Sequence, residues 1–493
     1  MQNVYSVEEM RRFDRQTVES GVSSEKLMYN AGVAIRNVYS FPGKTAIICG
    51  KGNNAGDGYV LALLLAQENK SCDLFLIEET FSKDGKKYFD DCLAVGVPAY
   101  DINVRSDLKG YDTVVDCIFG TGFKGEPQKK YKNAIEKING SEAFVLSVDI
   151  NSGLNGDNGL GTTIVKSDLT VTIGGYKSGL FLNKAKDYIK QIVSVDIGIK
   201  TENTRLFVAE DTDLCDFLQP RKNFSHKGDY GYVGIMGGCE KYPGALKLAA
   251  SSLAALKSGC GVSTIITDSE TAKYVAGCVV ESTIFPLADE KEKALTGLLP
   301  KTKALSVGMG WGVDAEKEGL LSFVLRNYEG RLILDADALN VLSKHRIWLK
   351  EKRGTVVVTP HVGEMSRLTG LTATEITEDP VSVARDFSAE NGVITVLKGT
   401  ATVVSDGERT VICPRGAAGM ATAGSGDVLS GILTGVLGQG KDVFASTVYG
   451  VYLNGLAGEI AQEEVGDICM TSTDTVRSIP FAVRALRVSC GLS

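Results

Sequence analysis

The chain predicts two α/β domains in tandem, the first built on a doubly wound parallel sheet. Three observations carry that prediction. A length of 493 residues exceeds what one hydrophobic core usually serves. Short apolar runs alternate with helix-length segments, and the alternation weakens over 207–215 before restarting at 232. Two different glycine-rich loops carry an aspartate: G-K-G-N-N-A-G-D-G at 50–58 and A-T-A-G-S-G-D-V-L at 421–429. Where such a loop enters a helix, exposed backbone N–H groups hold an anion, so each half is expected to take a nucleotide-like ligand.

The elements follow in order. Residues 7–16 and 23–39 read as helices. A strand over 45–49 enters the first glycine loop, a helix is predicted over 59–69, and 72–77 is the next strand. That β-loop-α-β unit is the doubly wound pattern, continued by strands over 113–115, 144–148 and 169–173. L-Q-P-R-K-N-F-S at 218–225 combines proline with charge and is the expected linker, giving domains 1–215 and 216–493. Beyond it, strands are expected over 232–236, 262–267, 304–307, 331–334, 356–359 and 393–397, with a helix over 244–257. S-D-G-E at 405–408 between 402–404 and 410–412 predicts a hairpin, and helices over 428–437 and 445–463 close the domain. The halves share architecture without a repeat, which reads as a fusion of unrelated domains.

Composition narrows the function. Lys and Arg number 53 against 60 Asp and Glu, a net charge of −7 without a long basic run, which argues against nucleic acid as the main partner. No stretch is apolar for long enough to span a bilayer, and the first ten residues hold no apolar signal core, so no membrane association and a cytoplasmic location are expected. Eleven cysteines form no C-x-x-C pair and sit largely in apolar segments, which predicts reduced, buried thiols. The 56 glycines cluster after β-rich runs, where tight turns approach ligands.

In an α/β sheet, ligands gather at the carboxyl ends of strands. In the first half those ends carry Asn53 and Asn54 with Asp57, then Asp116, then Asp149 with Ser152. Side-chain oxygens of Asn54, Asp116 and Ser152 suit one hard cation, and Gly120, Thr121, Gly122 and Phe123 add a second flexible loop for phosphates. The competing reading is that the Asp and Asn residues only cap helices or close turns. With V-D-C-I-F-G-T-G-F at 115–123, S-V-D-I-N-S-G at 147–153 and G-Y-K-S-G-L at 175–180, residues 1–210 resemble the NAD(P)H-hydrate epimerase family. The resemblance implies a Rossmann-like fold and a damaged nicotinamide nucleotide held by Asn53, Asn54, Ala55, Gly56, Asp57, Gly120, Thr121, Gly122, Phe123, Lys124, Gly125, Glu126 and Asp149. It also implies potassium on Asn54, Asp116 and Ser152, and Asp149 as the acid/base. Two positions depart from the family pattern. Ala55 replaces glycine, at little cost unless positive φ is needed, and Asn151 replaces proline, which is expected to loosen the turn aiming Ser152.

In the second half, Gly424-Ser425-Gly426-Asp427 opens an apolar helix, where successive N–H groups form an anion hole and Asp427 is placed to take a proton from a hydroxyl. The alternative is an ordinary N-cap. His361 follows a strand, Lys398-Gly399-Thr400 ends one, and Gly308–Gly312 leaves backbone exposed, while Asp335 and Asp337 divide between helix capping and substrate contact. In this order the motifs of roughly 220–490 resemble ADP-dependent NAD(P)H-hydrate dehydratases, which implies a ribokinase-like fold. The resemblance places substrate at Ala245, Gly310, His361 and Asp427, and ADP at Lys398, Gly399, Thr400, Ala401, Thr402 and Gly426. It implies Mg²⁺ with the ADP and a homo-oligomer, a homotetramer or higher. Met309, Trp311 and Ala423 depart from the usual pattern.

The implied chemistry is epimerisation of hydrated NADH or NADPH by the first domain and ADP-driven dehydration of the S form by the second. Read on the residues alone, a ribokinase-like vitamin or sugar kinase with an N-terminal nucleotide-sensing or protein-binding module competes with it.

Overall fold

The computed structural model describes residues 1–104, 107–249 and 252–492. Two compact units emerge, Asn3–Thr204 and Met1–Gln2 with Arg205–Ser493. The expected linker over 218–225 therefore lies inside the second unit. The strand Leu206–Val208 already pairs in parallel with Thr410–Cys413, too few residues after the break for sequence periodicity to reveal.

The seven-stranded sheet of the first unit is built of β1 (Thr45–Cys49), β2 (Cys72–Leu76), β3 (Ala99–Asp101), β4 (Thr113–Cys117), β5 (Phe144–Val148), β6 (Leu169–Ile173) and β7 (Ile192–Val195). They lie in the order β3-β2-β1-β4-β5-β6-β7, all parallel. Every residue of β1 is buried, because its alternate side chains enter two different cores. Ile47 and Cys49 pack with Tyr59, Val60 and Leu61, whereas Ala46 and Ile48 pack with Phe75, Val114 and Ile135. Helices on both faces make the sheet doubly wound, as expected.

The first glycine loop differs from expectation. It is already helical: the helix spans Asn53–Gln67, so Asn53, Asn54, Ala55, Gly56 and Asp57 form its opening turns. Glycine lowers helix propensity, but packing demands it here. A Cβ on Gly56 would stand 2.5 Å from the Met28 thioether, and one on Gly58 would stand 2.7 Å from Cys117 Sγ.

In the second unit the strands are β8 (Leu206–Val208), β9 (Tyr232–Met236), β10 (Val262–Asp268), β11 (Thr283–Leu287), β12 (Ala304–Val307), β13 (Arg331–Leu334), β14 (Thr355–Val358), β15 (Ile394–Leu397), β16 (Thr402–Ser405) and β17 (Thr410–Cys413). Their order is β11-β10-β9-β12-β13-β14-β15-β16-β17-β8, parallel from β11 to β15. The predicted hairpin is present as β16 and β17, with Ser405 opposite Thr410. The helix predicted over 244–257 is described as Pro243–Ala249 and Ser252–Lys257; residues 250 and 251 lie outside the described residues. The predicted closing helices are Ser425–Leu437 and Val443–Val465, and Ser472–Ser489 follows them. No helix among the described residues is long and apolar enough to cross a membrane.

The thiol expectation fails at one pair. Cys215 and Cys490 are joined in a disulfide across 275 residues, a proximity that sequence spacing does not show. Of the free cysteines, Cys278 and Cys469 are exposed.

Candidate active sites

In the first unit β1 and β4 are adjacent, and the strands that follow them leave in opposite directions. That switch point is where open α/β sheets bind ligands. A cavity of about 720 Å³ opens there. It is lined by Asn53, Asn54 and Asp57 from the helix after β1, by Gly120, Thr121, Gly122, Phe123, Lys124 and Glu126 after β4, and by Asp149 after β5. Ala55 and Gly56 face the core instead, and Gly125 is not in the wall. Ala55 has no positive φ, so its replacement of glycine carries no strain.

Asp116 and Ser152 are fully buried. Asp116 Oδ1 accepts from Ser152 Oγ at 2.6 Å, and Oδ2 accepts from Ser152 N at 2.9 Å and Ser147 Oγ at 3.0 Å. Burial nevertheless pushes the Asp116 carboxyl above its ordinary range. Asn54 Nδ2 donates to the carbonyls of Phe119 at 2.9 Å and Val148 at 3.2 Å, while its buried Oδ1 has no donor. An all-oxygen set containing one orphaned buried oxygen suits a hard cation.

Asn151 does not loosen this turn. Fully buried, it donates to Val165 O at 2.8 Å, Ser167 Oγ at 2.9 Å and Tyr188 O at 3.3 Å, and accepts from Thr170 Oγ1 at 2.6 Å. Proline would stiffen the turn through φ, whereas asparagine ties it to residues 165–170 and to Tyr188.

Asp149 stands at φ +68°, a left-handed conformation, just past β5. Its Oδ1 accepts from Lys177 Nζ at 2.6 Å and its Oδ2 from Thr121 N at 3.1 Å. Lys177 escaped the residue reading, although the G-Y-K-S-G-L motif contains it. The Asp57 side chain makes no hydrogen bond or ion pair among the described residues, so it does not organise the loop through such bonds. Burial, then the neighbouring Asp149 and Asp14, hold its carboxyl well above the usual range.

In the second unit β9 and β12 form the equivalent switch point. Gly310, after β12, has φ +58°, and a Cβ there would come within 2.8 Å of Ala245 Cβ, so these two predicted substrate residues meet. A second cluster gathers after β13, β14 and β15. Lys398 Nζ lies 3.0 Å from Asp335 Oδ1 and 3.8 Å from Glu364 Oε2. Asp335 Oδ2 accepts from Ser430 Oγ at 2.7 Å. A Cβ on Gly426 would stand 3.4 Å from Lys398 Nζ, which puts the G-S-G-D turn against this cluster.

Gly424, at φ +90°, is the N-cap of Ser425–Leu437, so Asp427 lies inside the first turn and is not the cap. Burial and Asp335 raise the Asp427 pKa to about 7, with Lys398 pulling the other way. Neither Asp335 nor Asp337 is the N-cap of its helix, where Ala336 sits; Asp337 Oδ2 accepts from Gly312 N at 2.7 Å. His361 Nδ1 caps Val362–Thr369 by accepting from Gly363 N at 2.9 Å, and burial with Lys398 nearby lowers its pKa. Gly399 and Thr400 are exposed, Ala401 is buried, and Thr402 begins β16. Glu364, buried and raised above its usual range, was missed because nothing in T-P-H-V-G-E-M distinguishes it from a surface helix glutamate.

Two parallel-sheet units, each with polar groups converging at a switch point, define a two-domain α/β enzyme with nucleotide-type sites. Residues 24–179 match the family described as YjeF-related protein N-terminus, and residues 233–480 match that described as NAD(P)H-hydrate dehydratase. A bifunctional NAD(P)H-hydrate repair enzyme from Thermofilum pendens is 34% identical, over 98% of this chain and 97% of its own. The chain belongs to the bifunctional NAD(P)H-hydrate repair enzyme family. A ribokinase-like superfamily protein from Enterococcus faecalis superposes with a TM-score of 0.52 at 26% identity, covering 58% of this chain and 98% of that one. The ADP/ATP-dependent NAD(P)H-hydrate dehydratase of Bacillus subtilis, co-crystallised with ATP and Mg²⁺, gives 0.51 at 26%, covering 57% and 98%. The second unit is thus ribokinase-like.

Proposed function

We propose that the first unit interconverts the R and S hydrates of NADH and NADPH, and that the second dehydrates the S hydrate at the expense of ADP, giving AMP and phosphate. The full-length similarity to a repair enzyme carries this reading over the small-molecule kinase. In the second unit Asp427 takes the proton of the ring hydroxyl, whose oxygen bonds to the terminal phosphoryl of ADP as AMP leaves. The N–H groups of the helix start hold the charge of that phosphoryl group. Phosphate then departs with its C–O bonding pair while a proton leaves the neighbouring ring carbon, restoring the double bond. Ala245, Gly310 and His361 bound the hydrate, and Lys398, Gly399, Thr400, Ala401, Thr402 and Gly426 the ADP. Among the described residues no group of three or more His, Cys, Asp or Glu is arranged to hold a metal. Mg²⁺ therefore fits best as a companion of the nucleotide phosphates.

In the first unit Asp149 is the proton-transfer group beside the hydrated carbon. Asn54, Asp116 and Ser152 would hold potassium, which when bound supplies positive charge beside the nucleotide. The reading includes a cytoplasmic location and a homo-oligomer, a homotetramer or higher.

The test is a mixture of R and S NADPH hydrates given to the full chain, with and without ADP and potassium. Complete recovery of reduced nicotinamide absorbance with ADP and potassium, accompanied by free phosphate, is expected. A stable phosphorylated acceptor would instead establish the kinase.

A further inference from the structure

We propose that Lys177 is a positioning residue for Asp149: it pins Oδ1 and leaves Oδ2 as the atom that exchanges a proton with the substrate. The inference rests on the first unit being an epimerase. Lys177 is among the largest fully buried side chains of the protein, at 1% exposure, yet it borders the cavity. An ammonium so placed is costly unless every proton finds an acceptor. Here all three do: Asp149 Oδ1 at 2.6 Å, Ile173 O at 2.7 Å and Thr172 Oγ1 at 2.9 Å. Two of those acceptors belong to β6 and its immediate end, so the ammonium is fixed to the sheet and fixes Asp149 in turn. A buried apolar residue would fill this volume without that cost, so stability alone does not account for a lysine.

The backbone at Asp149 supports the same reading. Its left-handed φ of +68° turns the residue at the end of β5, a conformation that side-chain contacts must hold. Lys177 on one oxygen and Thr121 N–H on the other supply those contacts. The space at Oδ2 is kept open by Gly120, where a Cβ would come within 3.0 Å of that oxygen. One carboxylate oxygen is thus saturated by a fixed cation. The other faces the loop after β4 with a single N–H donor and room beside it. The proton of the substrate hydroxyl moves to Oδ2 as the bond from the hydroxyl-bearing carbon to the ring nitrogen breaks, its pair going to nitrogen and the C–O becoming a carbonyl. The nitrogen then re-adds to the opposite face and Oδ2 returns the proton to the oxygen.

The full chain carrying Lys177→Met, Asp149→Asn, both changes, or Gly120→Ala is assayed for interconversion of the two NADPH hydrates without ADP. Dehydration of the S hydrate and thermal unfolding are followed in parallel. Lys177→Met is expected to lower the epimerisation kcat about 100-fold with KM within about threefold, and to add less than about threefold in the Asp149→Asn background. Gly120→Ala is expected to lower kcat without a change in melting temperature, which keeps the test open where Lys177→Met folds poorly. A normal kcat in Lys177→Met or Gly120→Ala, or equal losses from Lys177→Met in both backgrounds, would overturn the positioning role. Failure of the unmutated chain to interconvert the hydrates would overturn the epimerase reading itself.

Discussion

Asp427 offers the most demanding test, because the same half-buried carboxyl governs activity and stability in opposite senses. Burial and the nearby Asp335 lift its pKa from 3.8 to about 7. As a base it must be ionised, so dehydration should climb about tenfold per pH unit below about 7 and level off above it, reaching roughly a tenth of its plateau at pH ~6. The stability effect runs the other way. Between 3.8 and about 7 the folded chain holds a proton that the unfolded chain has released, so stability falls as pH rises through that window. The full shift of about three units corresponds to a cost of up to ~4 kcal/mol above pH ~7. Asp427→Asn removes base and charge together. It should lower dehydration about 10²–10⁴-fold, and raise the melting temperature by several degrees at pH ~8 and by roughly two-fifths as much at pH ~5. The assays are turnover of the S hydrate with ADP across pH, and calorimetry at the two extremes. A rate flat between pH ~6 and ~8, or no alkaline gain in stability in the variant, would refute this account of the site.

Three further outcomes follow from named contacts. Asn54→Leu removes the orphaned Oδ1, so potassium activation of epimerisation should fall at least about tenfold while dehydration is unchanged, read by potassium titration of both reactions. Asn151→Ala takes a donor from the carbonyls of Val165 and Tyr188 and one bond from each of the Thr170 and Ser167 hydroxyls, which keep only each other, and should cost roughly 2–4 kcal/mol in denaturant unfolding of the first unit. Lys398→Met strips the counter-charge from Asp335 and Glu364 and should move the pH midpoint of dehydration upward, with turnover at neutral pH about tenfold lower.

Much of the fold was legible because buried parallel strands announce themselves as short apolar runs: the runs at 45–49, 144–148 and 304–307 are strands with those very bounds. Site loops were legible as glycine clusters after such strands. What escaped was whatever depends on tertiary distance. The helix beginning at Asn53 hides behind its glycines, which only the Met28 and Cys117 contacts explain. Ala99–Asp101 and Thr283–Leu287 are edge strands of their sheets, one short and one with a proline, and neither stood out as an apolar run. The Cys215–Cys490 pair and the partners of Asn151 join residues remote in sequence or unremarkable in type. Lys177 and Glu364 look like surface residues until burial reveals them.

Lys177 and Lys398 share a physical role. Each site holds several carboxyl groups near one lysine, buried in the first and half-buried in the second, and the partner that the lysine selects divides the labour. In the first unit Lys177 bonds directly to Asp149, while Asp57 pairs with no cation among the described residues and is driven up by burial. In the second, Lys398 bonds to Asp335 and leaves Asp427 only its more distant field, so Asp427 titrates near neutrality. One lysine therefore marks its carboxylate by holding it, the other by engaging a neighbour. In sequence the aspartates look alike; the lysines that the fold sets beside them decide what each one does.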